Sequence, residues 1–385
     1  MRGFYETGDR SVCLNCIVDE GLREQVAPYL TEDACTFCGR ETEDGVPIAA
    51  HFEELMRPVM DAIHFFYERS EESLYWNDDM TPRCTSHDVA GNVCAGAVSD
   101  SVLEGICEVI TEDDWNEDPG ALRLDVALRY AWNGFREKVK HETRFVFLSI
   151  SEESSPHPDD FTTSETLEKL IDIIQLRGVL TDIPASHIFY RGRMVDKPEP
   201  AGYDASTLGS PPPMAASANR MSPAGISMFY GCDDIPTVVA EIGSHTAKRF
   251  AVIGAFETTR PLRMVNLAVL PPIPSVFDSE QRKYYHELRF LHEFARDLSA
   301  PVVLDGREHI EYVPTQVVTE YMRWLPAVAI DGILFASAQN GGTSCVIFCG
   351  AEGCADAGKV TGETMLRLKD GSIQTVRVVA GPATP

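Results

Sequence analysis

The chain contains no run of eighteen apolar residues, and no apolar stretch stands behind its charged opening MRGFYETGDR. Neither a membrane span nor a secretion signal is expected, and a soluble cytoplasmic protein is the reading that follows. Positive charge is also scarce, with 33 Lys and Arg against 59 Asp and Glu, a formal net charge of −26. A nucleic-acid polyanion would meet that field as repulsion, so general nucleic-acid binding is disfavoured, and any anionic substrate must depend on a few well-placed arginines. No G-x-G-x-x-G follows a strand-like run, which argues against a dinucleotide fold that transfers hydride. Internal repeats are absent too. The eleven cysteines are an odd number, and four of them share a metal-type spacing, which suits a reducing compartment better than a disulfide framework.

What is present is enough for two ordinary domains, because 385 residues with 44% hydrophobic content can bury more than one core. Residues 1–50 are rich in Cys, Asp, Glu and Gly. Residues 51–69 then place Phe52, Leu55, Met56, Val59, Met60 and Ile63 on one helical face. An acidic loop is expected over 70–95, with further helices over 100–111 and 121–141, where Leu103, Ile106, Cys107 and Ile110 are spaced for burial. The Ser-, Pro- and Asp-rich stretch 151–162 reads as a break, and Thr162 with Glu165 forms a capping box for a helix to about 176.

Beyond the break the period changes. Short β-type runs are expected at 187–193, 226–230, 250–256, 261–266, 331–337, 343–348 and twice near 364–379, with helices near 234–244, 280–298 and 314–324. The irregular mixture predicts an α+β fold and not a doubly wound sheet. The domain reading is a zinc-binding segment with four cysteines over 1–50, a small helical domain over 51–150, a linker and helix over 151–184, and a mixed β-sheet domain over 185–385. The Pro- and Gly-rich stretch 197–218 is too long for a simple connection and is expected to be a functional loop over a site.

Cys13-x2-Cys16 and Cys35-x2-Cys38 are separated by eighteen residues, a spacing that lets two knuckles supply four thiolates to one tetrahedral zinc. Such a zinc is structural, because four thiolates leave no open position for a substrate. Cys345 lies in an apolar run and reads as core, and Cys349 and Cys354 lack ligand spacing.

The most informative residues lie between 188 and 337. They are Tyr190-Arg191-Gly192-Arg193, then Asn219-Arg220-Met221-Ser222-Pro223-Ala224-Gly225-Ile226, Tyr230, and the segment DIPTVVAE ending at Glu241. Tyr312-x-Pro314-Thr315-Gln316 and Asp331-Gly332-Ile333-Leu334-Phe335-Ala336-Ser337 follow, before a glycine pair and an apolar strand. This succession resembles the RES domain, a family named for its Arg, Glu and Ser, over roughly 185–380. The resemblance implies an ADP-ribosyltransferase-like fold that consumes NAD by phosphorolysis, hydrolysis or ADP-ribosyl transfer. Many such domains are toxins held by a neighbouring antitoxin. Arg191, Glu241 and Ser337 match the name-giving residues, and Arg220 and Tyr230 are similar to the family's second arginine and site tyrosine. Ser344 departs from the pattern, since many members carry Asn there.

The residue types suit that chemistry on their own terms. Nicotinamide is a cationic leaving group that departs neutral, so breaking its bond to ribose needs no general acid, and a fixed carboxylate can stabilise the oxocarbenium ion that develops. Glu241 is the candidate, against the alternative of a solvent-facing helix glutamate. The NAD diphosphate calls for arginine forks, and Arg191, Arg193 and Arg220 are the candidates, against surface ion pairing. Tyr230 could stack on nicotinamide or serve as core, and Ser337 could bond a ribose hydroxyl or the carboxamide, or merely cap a turn. NAD is then a substrate, not a recycled cofactor.

The first half resembles the HEPN-like N-terminal domain often fused to RES domains, and Arg136-x4-His141 fits the pattern of HEPN ribonucleases. A solvated helix end explains the same residues, given the neighbouring Lys138, Lys140 and Arg144. Three functions are thus expected to compete: an NAD-consuming toxin or defence enzyme, a HEPN-type ribonuclease, and a non-catalytic zinc-knuckle interaction protein. The partners compatible with the first are NAD, an antitoxin protein and a second copy of the chain, with no membrane.

Overall fold

The computed structural model describes residues 3–69, 84–117, 122–146, 160–198, 202–243, 248–301, 306–324 and 327–378. Two compact units are present. The first is built from the chain up to Ala127 together with Pro272–Arg289. The second is built from Leu128 to Pro271, less a short segment that ends at Asp160, and from Phe290 onward.

The first unit begins with a three-stranded sheet in the order β1–β3–β2, made of β1 (Ser11–Cys13), β2 (Leu30–Glu32) and β3 (Ala49–His51), with helix α1 (Glu20–Val26) between the first two. Asp19 caps α1 by accepting from the Leu22 amide at 2.9 Å. Helix α2 (Phe52–Phe66) buries the predicted face, with Phe52, Leu55, Met56, Val59, Met60 and Ile63 all inside. A second small sheet, β4 (Glu68–Arg69), β5 (Cys84–Thr85) and β6 (Asp114–Asn116), flanks α3 (Ser86–Cys94) and α4 (Asp100–Val109). Of the residues expected to be buried here, Ile106 in α4 and Ile110 just after it are inside with Val102 and Val109, while Leu103 and Cys107 are partly buried and pack at the margin.

The expected acidic loop over 70–95 is corrected at its end. Residues 86–94 are α3, started by a capping box between Thr85 and Asp88. Residues 70–83 of that loop and 151–159 of the expected break lie outside the described residues.

The second unit is organised around a ten-stranded mixed sheet. Its strands are β7 (Leu180–Ile183), β8 (Ile188–Val195), β9 (Phe229–Cys232), β10 (Phe250–Thr258), β11 (Leu262–Asn266), β12 (Gly332–Ala336), β13 (Thr343–Ile347), β14 (Cys354–Asp356), β15 (Leu366–Leu368) and β16 (Gln374–Arg377). The order is β14–β15–β10–β8–β9–β13–β12–β11–β7, with β16 on the free end of β10. Only β11–β12 and β14–β15 run parallel. This is the α+β arrangement expected from the sequence, with β7 and β14 as unforeseen additions.

β10 is apolar from Phe250 to Phe256 (FAVIGAF) because both of its faces are covered there. Val252 and Phe256 enter one core with Phe189, Phe229 and Ile347, while Ala251 and Ile253 enter another beneath helix α8 (Ile235–Gly243). Around the sheet lie α6 (Thr163–Leu176), α7 (Ala205–Leu208), α10 (Glu308–Glu311) and α11 (Val313–Trp324), together with most of α5 (Leu124–His141) and α9 (Tyr285–Ser299). The predicted Thr162–Glu165 capping box is formed on α6.

The register contains a break. β10 and β8 pair over eight successive residues, yet β8 and β9 pair at Tyr190–Cys232 alone. The sheet therefore parts along that seam, and backbone groups past the seam must find other partners.

Candidate active site

The seam opens into a cleft of about 280 Å³, at the lower edge of the size range of small-molecule sites. Arg191, Arg193, Tyr230 and Glu241 line it together with Asn219, Ser222 and Ser344. Part of the stretch expected to be a functional loop is there too, through Pro211, Ala215, Ala216 and Ser217.

Arg191 occupies the place of the missing ladder. Its Nη1 donates to the Tyr230 carbonyl at 2.6 Å, and the guanidinium stands 5.2 Å from the centre of the Phe229 ring. Its Nε is buried with no hydrogen-bond partner among the described residues. Burial, and next the charge of Arg193, lower the Arg191 guanidinium to about 10, which still leaves it charged at neutral pH. Two cations thus crowd one wall of a chain whose net charge is −26, an arrangement an anion relieves.

Glu241 is delivered by α8. The Asp234 carboxylate caps this helix by accepting from the Thr237 amide at 2.7 Å, and Asn340 Nδ2 donates to Thr237 Oγ1 at 3.1 Å. Close approach on two sides depends on glycine. A Cβ on Gly192 would lie 2.8 Å from Ile242 Cδ1 and 2.9 Å from Val238 Cγ1, and one on Gly342 would lie 2.1 Å from Thr237 Oγ1. Gly192→Val is accordingly expected to lift α8, destabilise the fold by about 1–3 kcal/mol and lower activity with it. A denaturant melt read beside turnover checks this, and unchanged values of both would show that α8 is not seated through Gly192.

Ser337 sits just past β12 in a tight turn, where its amide donates to the Gly342 carbonyl at 2.7 Å and its carbonyl accepts from the Gly341 amide at 2.9 Å. Its hydroxyl donates to Glu241 Oε1 at 2.5 Å. This bond ties the turn after β12 to the carboxylate on α8. Tyr230 OH bonds Ser222 Oγ at 2.9 Å, and burial pushes its phenol up to about 12. Ser344, which replaces the expected Asn, is buried and lies 3.6 Å from Cys232 Sγ.

Arg220, expected to bind NAD, stands beside the cleft, near enough to Glu241 and Tyr230 for their charges to act on its guanidinium. Its guanidinium is absent from the cleft lining and faces a neighbouring cavity with Trp132, Arg136 and Tyr312, where Nη1 donates to the Leu298 carbonyl at 2.8 Å and to the Ala300 carbonyl. Those carbonyls close the C-terminal end of α9, an end that attracts cations. The turn that carries Arg220 does reach the cleft, through Asn219 and Ser222.

Sequence reasoning passed over a group behind this site. Ser210 Oγ donates to the Cys349 carbonyl at 2.9 Å and stands 3.5 Å from Cys354 Sγ, and the Cys349 hydrogen bond lowers the Cys354 thiol. No spacing signal marks these residues, since Ser210 comes from far along the chain.

Arg136 and His141 do not converge. Five residues along a helix rotate a side chain by about 140° net, which sets the two on different faces. Arg136 pairs with Asp297 at 3.4 Å, and the exposed His141 lies 3.8 Å from Glu137 on its own helix. α5 is instead tied to its neighbours within the second unit by Trp132 to Asp297 at 3.2 Å and Lys140 to Glu311 at 2.6 Å.

In the first unit, Cys13, Cys16, Cys35 and Cys38 offer their sulfurs within 4.8 Å of one another, and together they could hold a metal ion. Neighbouring sulfurs stand at 3.7 Å (Cys13–Cys16), 3.6 Å (Cys13–Cys38) and 3.9 Å (Cys16–Cys35). A tetrahedron with Zn–S bonds of about 2.3 Å has edges of about 3.8 Å, so the residues fit that ion. No helix among the described residues is long and apolar enough to cross a membrane.

Fold and site together define an α+β protein with a split mixed sheet and a paired arginine–glutamate cleft. Comparison with known proteins gives the class its family: residues 30–153 match the HEPN/RES N-terminal domain 1 and residues 193–368 match the RES domain. The chain belongs to the RES domain proteins with a HEPN/RES-type N-terminal domain. It is also similar to a chain of the M. tuberculosis MbcT-MbcA toxin-antitoxin complex, with 17% identity over 55% of this chain and 92% of that chain and a TM-score of 0.29. No curated protein matches it.

Proposed function

We propose that the cleft cleaves the bond between nicotinamide and ribose in NAD, and that the chain is a toxin or defence effector of the RES type. The observation that carries this reading is the meeting, in one cleft, of a carboxylate bonded by Ser337 with two guanidinium groups, one of which keeps a buried Nε–H without a partner among the described residues. Arg191 and Arg193 serve the diphosphate, and the unpartnered Nε–H is the donor that a phosphate oxygen satisfies. Glu241 stands beside the ribose and stabilises the positive charge that grows there. As the C–N bond breaks, its electron pair goes to the pyridine nitrogen and nicotinamide leaves neutral. An acceptor oxygen then closes on the ribose carbon and gives up its proton to solvent when the acceptor is water.

The metal of the Cys quartet is proposed to be zinc in a structural role. A neutralising antitoxin is proposed as partner, because free activity would drain the NAD of the cell that makes the enzyme.

The test is to incubate purified full-length protein with NAD, with and without inorganic phosphate, and follow nicotinamide release. Release that rises with phosphate identifies phosphorolysis, and release independent of it identifies hydrolysis. Intact NAD after long incubation would sink the proposal.

A further inference from the structure

The Tyr312-x-Pro314-Thr315-Gln316 motif takes no part in the cleft described above, for none of its residues lines it. Gln316 is nonetheless buried, at 8% exposure, and its amide nitrogen has two acceptors. Nε2 donates to the Asn219 carbonyl at 2.8 Å and to the Ser222 carbonyl at 3.3 Å. These two residues form an isolated bridge with each other, Asn219 N to Ser222 O at 2.8 Å and Ser222 N to Asn219 O at 3.3 Å. One pair of backbone bonds does not hold a turn rigidly, because a lone pair of hydrogen-bonded residues has little to offset its ordering entropy. The two protons of a side-chain amide reach both carbonyls at once and hold them at a fixed spacing. Thr315 Oγ1 reaches the Arg220 carbonyl from the same helix.

We infer that Gln316 is a positioning residue that holds the substrate-binding wall of the cleft through the turn 219–222. The relay is continuous. Gln316 holds the Ser222 carbonyl, Ser222 Oγ bonds Tyr230 OH, and the Tyr230 carbonyl holds Arg191 Nη1. Glu241 and Ser337 stand off this relay, since α8 and the β12–β13 turn carry them. Gln316 therefore acts on binding of the anionic substrate and leaves the charge-stabilising carboxylate in place, an inference that rests on the NAD reading of the cleft.

The test uses the full chain with Gln316→Met, which keeps length and apolar volume but has no donor, and Gln316→Glu, which is isosteric and cannot donate when ionised. Both variants are expected to raise KM for NAD about tenfold with kcat kept within about twofold. A space-filling role would leave Gln316→Met at the wild-type KM, and that result overturns the inference. So does a kcat loss as large as the KM change accompanied by a lower Tm, which would mark general loosening. Amide hydrogen exchange supplies a reading independent of turnover, with faster exchange expected at Asn219 and Ser222 in Gln316→Met. If the wild type consumes no NAD and exchange is still faster at this turn, the substrate reading fails and the strap stands. Unchanged exchange at the turn overturns the strap whether or not NAD is consumed.

Discussion

Glu241→Gln is expected to reduce nicotinamide release on the order of 10²- to 10³-fold while leaving Tm within experimental scatter. The magnitude is that of removing one fixed electrostatic partner from a developing charge, and it acts on kcat because the partner matters only once the ribose becomes cationic. Retention of fold is expected because glutamine keeps the size of the side chain and an oxygen able to accept from the Ser337 hydroxyl, which now approaches at 2.5 Å. Ser337→Ala should give a smaller loss of the same kind, since it leaves the carboxylate charged and removes only its orientation. The pair separates two roles for Glu241. A helix glutamate that merely faced solvent would tolerate both changes, so near-normal rates in Glu241→Gln would remove the central assignment. A steady-state assay of nicotinamide release, with a thermal melt of each variant, is sufficient.

Much of the candidate site was legible in the sequence, and the reason is local. Arg191 follows the apolar start of β8, Glu241 is the acidic residue of an apolar helix segment, and Ser337 falls between an apolar strand and a glycine pair, so each is marked by its own neighbours. The seam between β8 and β9 was not legible. Strand pairing across forty residues leaves no trace in either strand, and only the register shows that one residue pair joins them. The destination of Arg220 was hidden for the same reason, because the carbonyls it bonds lie at Leu298 and Ala300. Among the elements, β14 is three residues long and β7 (LTDI) is half polar at the sheet edge, too little pattern for either to be read. Helix α3 was a different kind of miss. Its capping signal, Thr85 with Asp88, stood in the sequence, but acidic and small residues around it outweighed that signal in a reading by apolar periodicity.

Removal of the metal is expected to have the largest effect on stability, and to confine it to the first unit. Strands β1, β2 and β3 have three residues each, too few to hold a sheet without help, and three of the four thiols are buried, at 2% for Cys13, 5% for Cys16 and 1% for Cys35. Four thiolates around one ion join the two ends of this segment, and structural zinc sites of this kind contribute about 10–16 kcal/mol of apparent binding energy that is also folding energy. The purified chain should therefore carry one zinc per molecule by elemental analysis, and Cys35→Ser should carry none. In the variant, or after strong chelation, amide exchange should accelerate through residues 11–51, whereas the strands β8, β10 and β13 of the second unit keep their protection. Acidification should release the ion as well, because the ligands bind as thiolates and protons compete for them as pH falls. NAD turnover should persist in the freshly chelated protein, since a closed shell of four thiolates leaves no place for substrate and the carboxylate and guanidinium groups belong to the other unit. Immediate loss of turnover in protein whose second unit is still protected would mean that the ion does more than hold a fold.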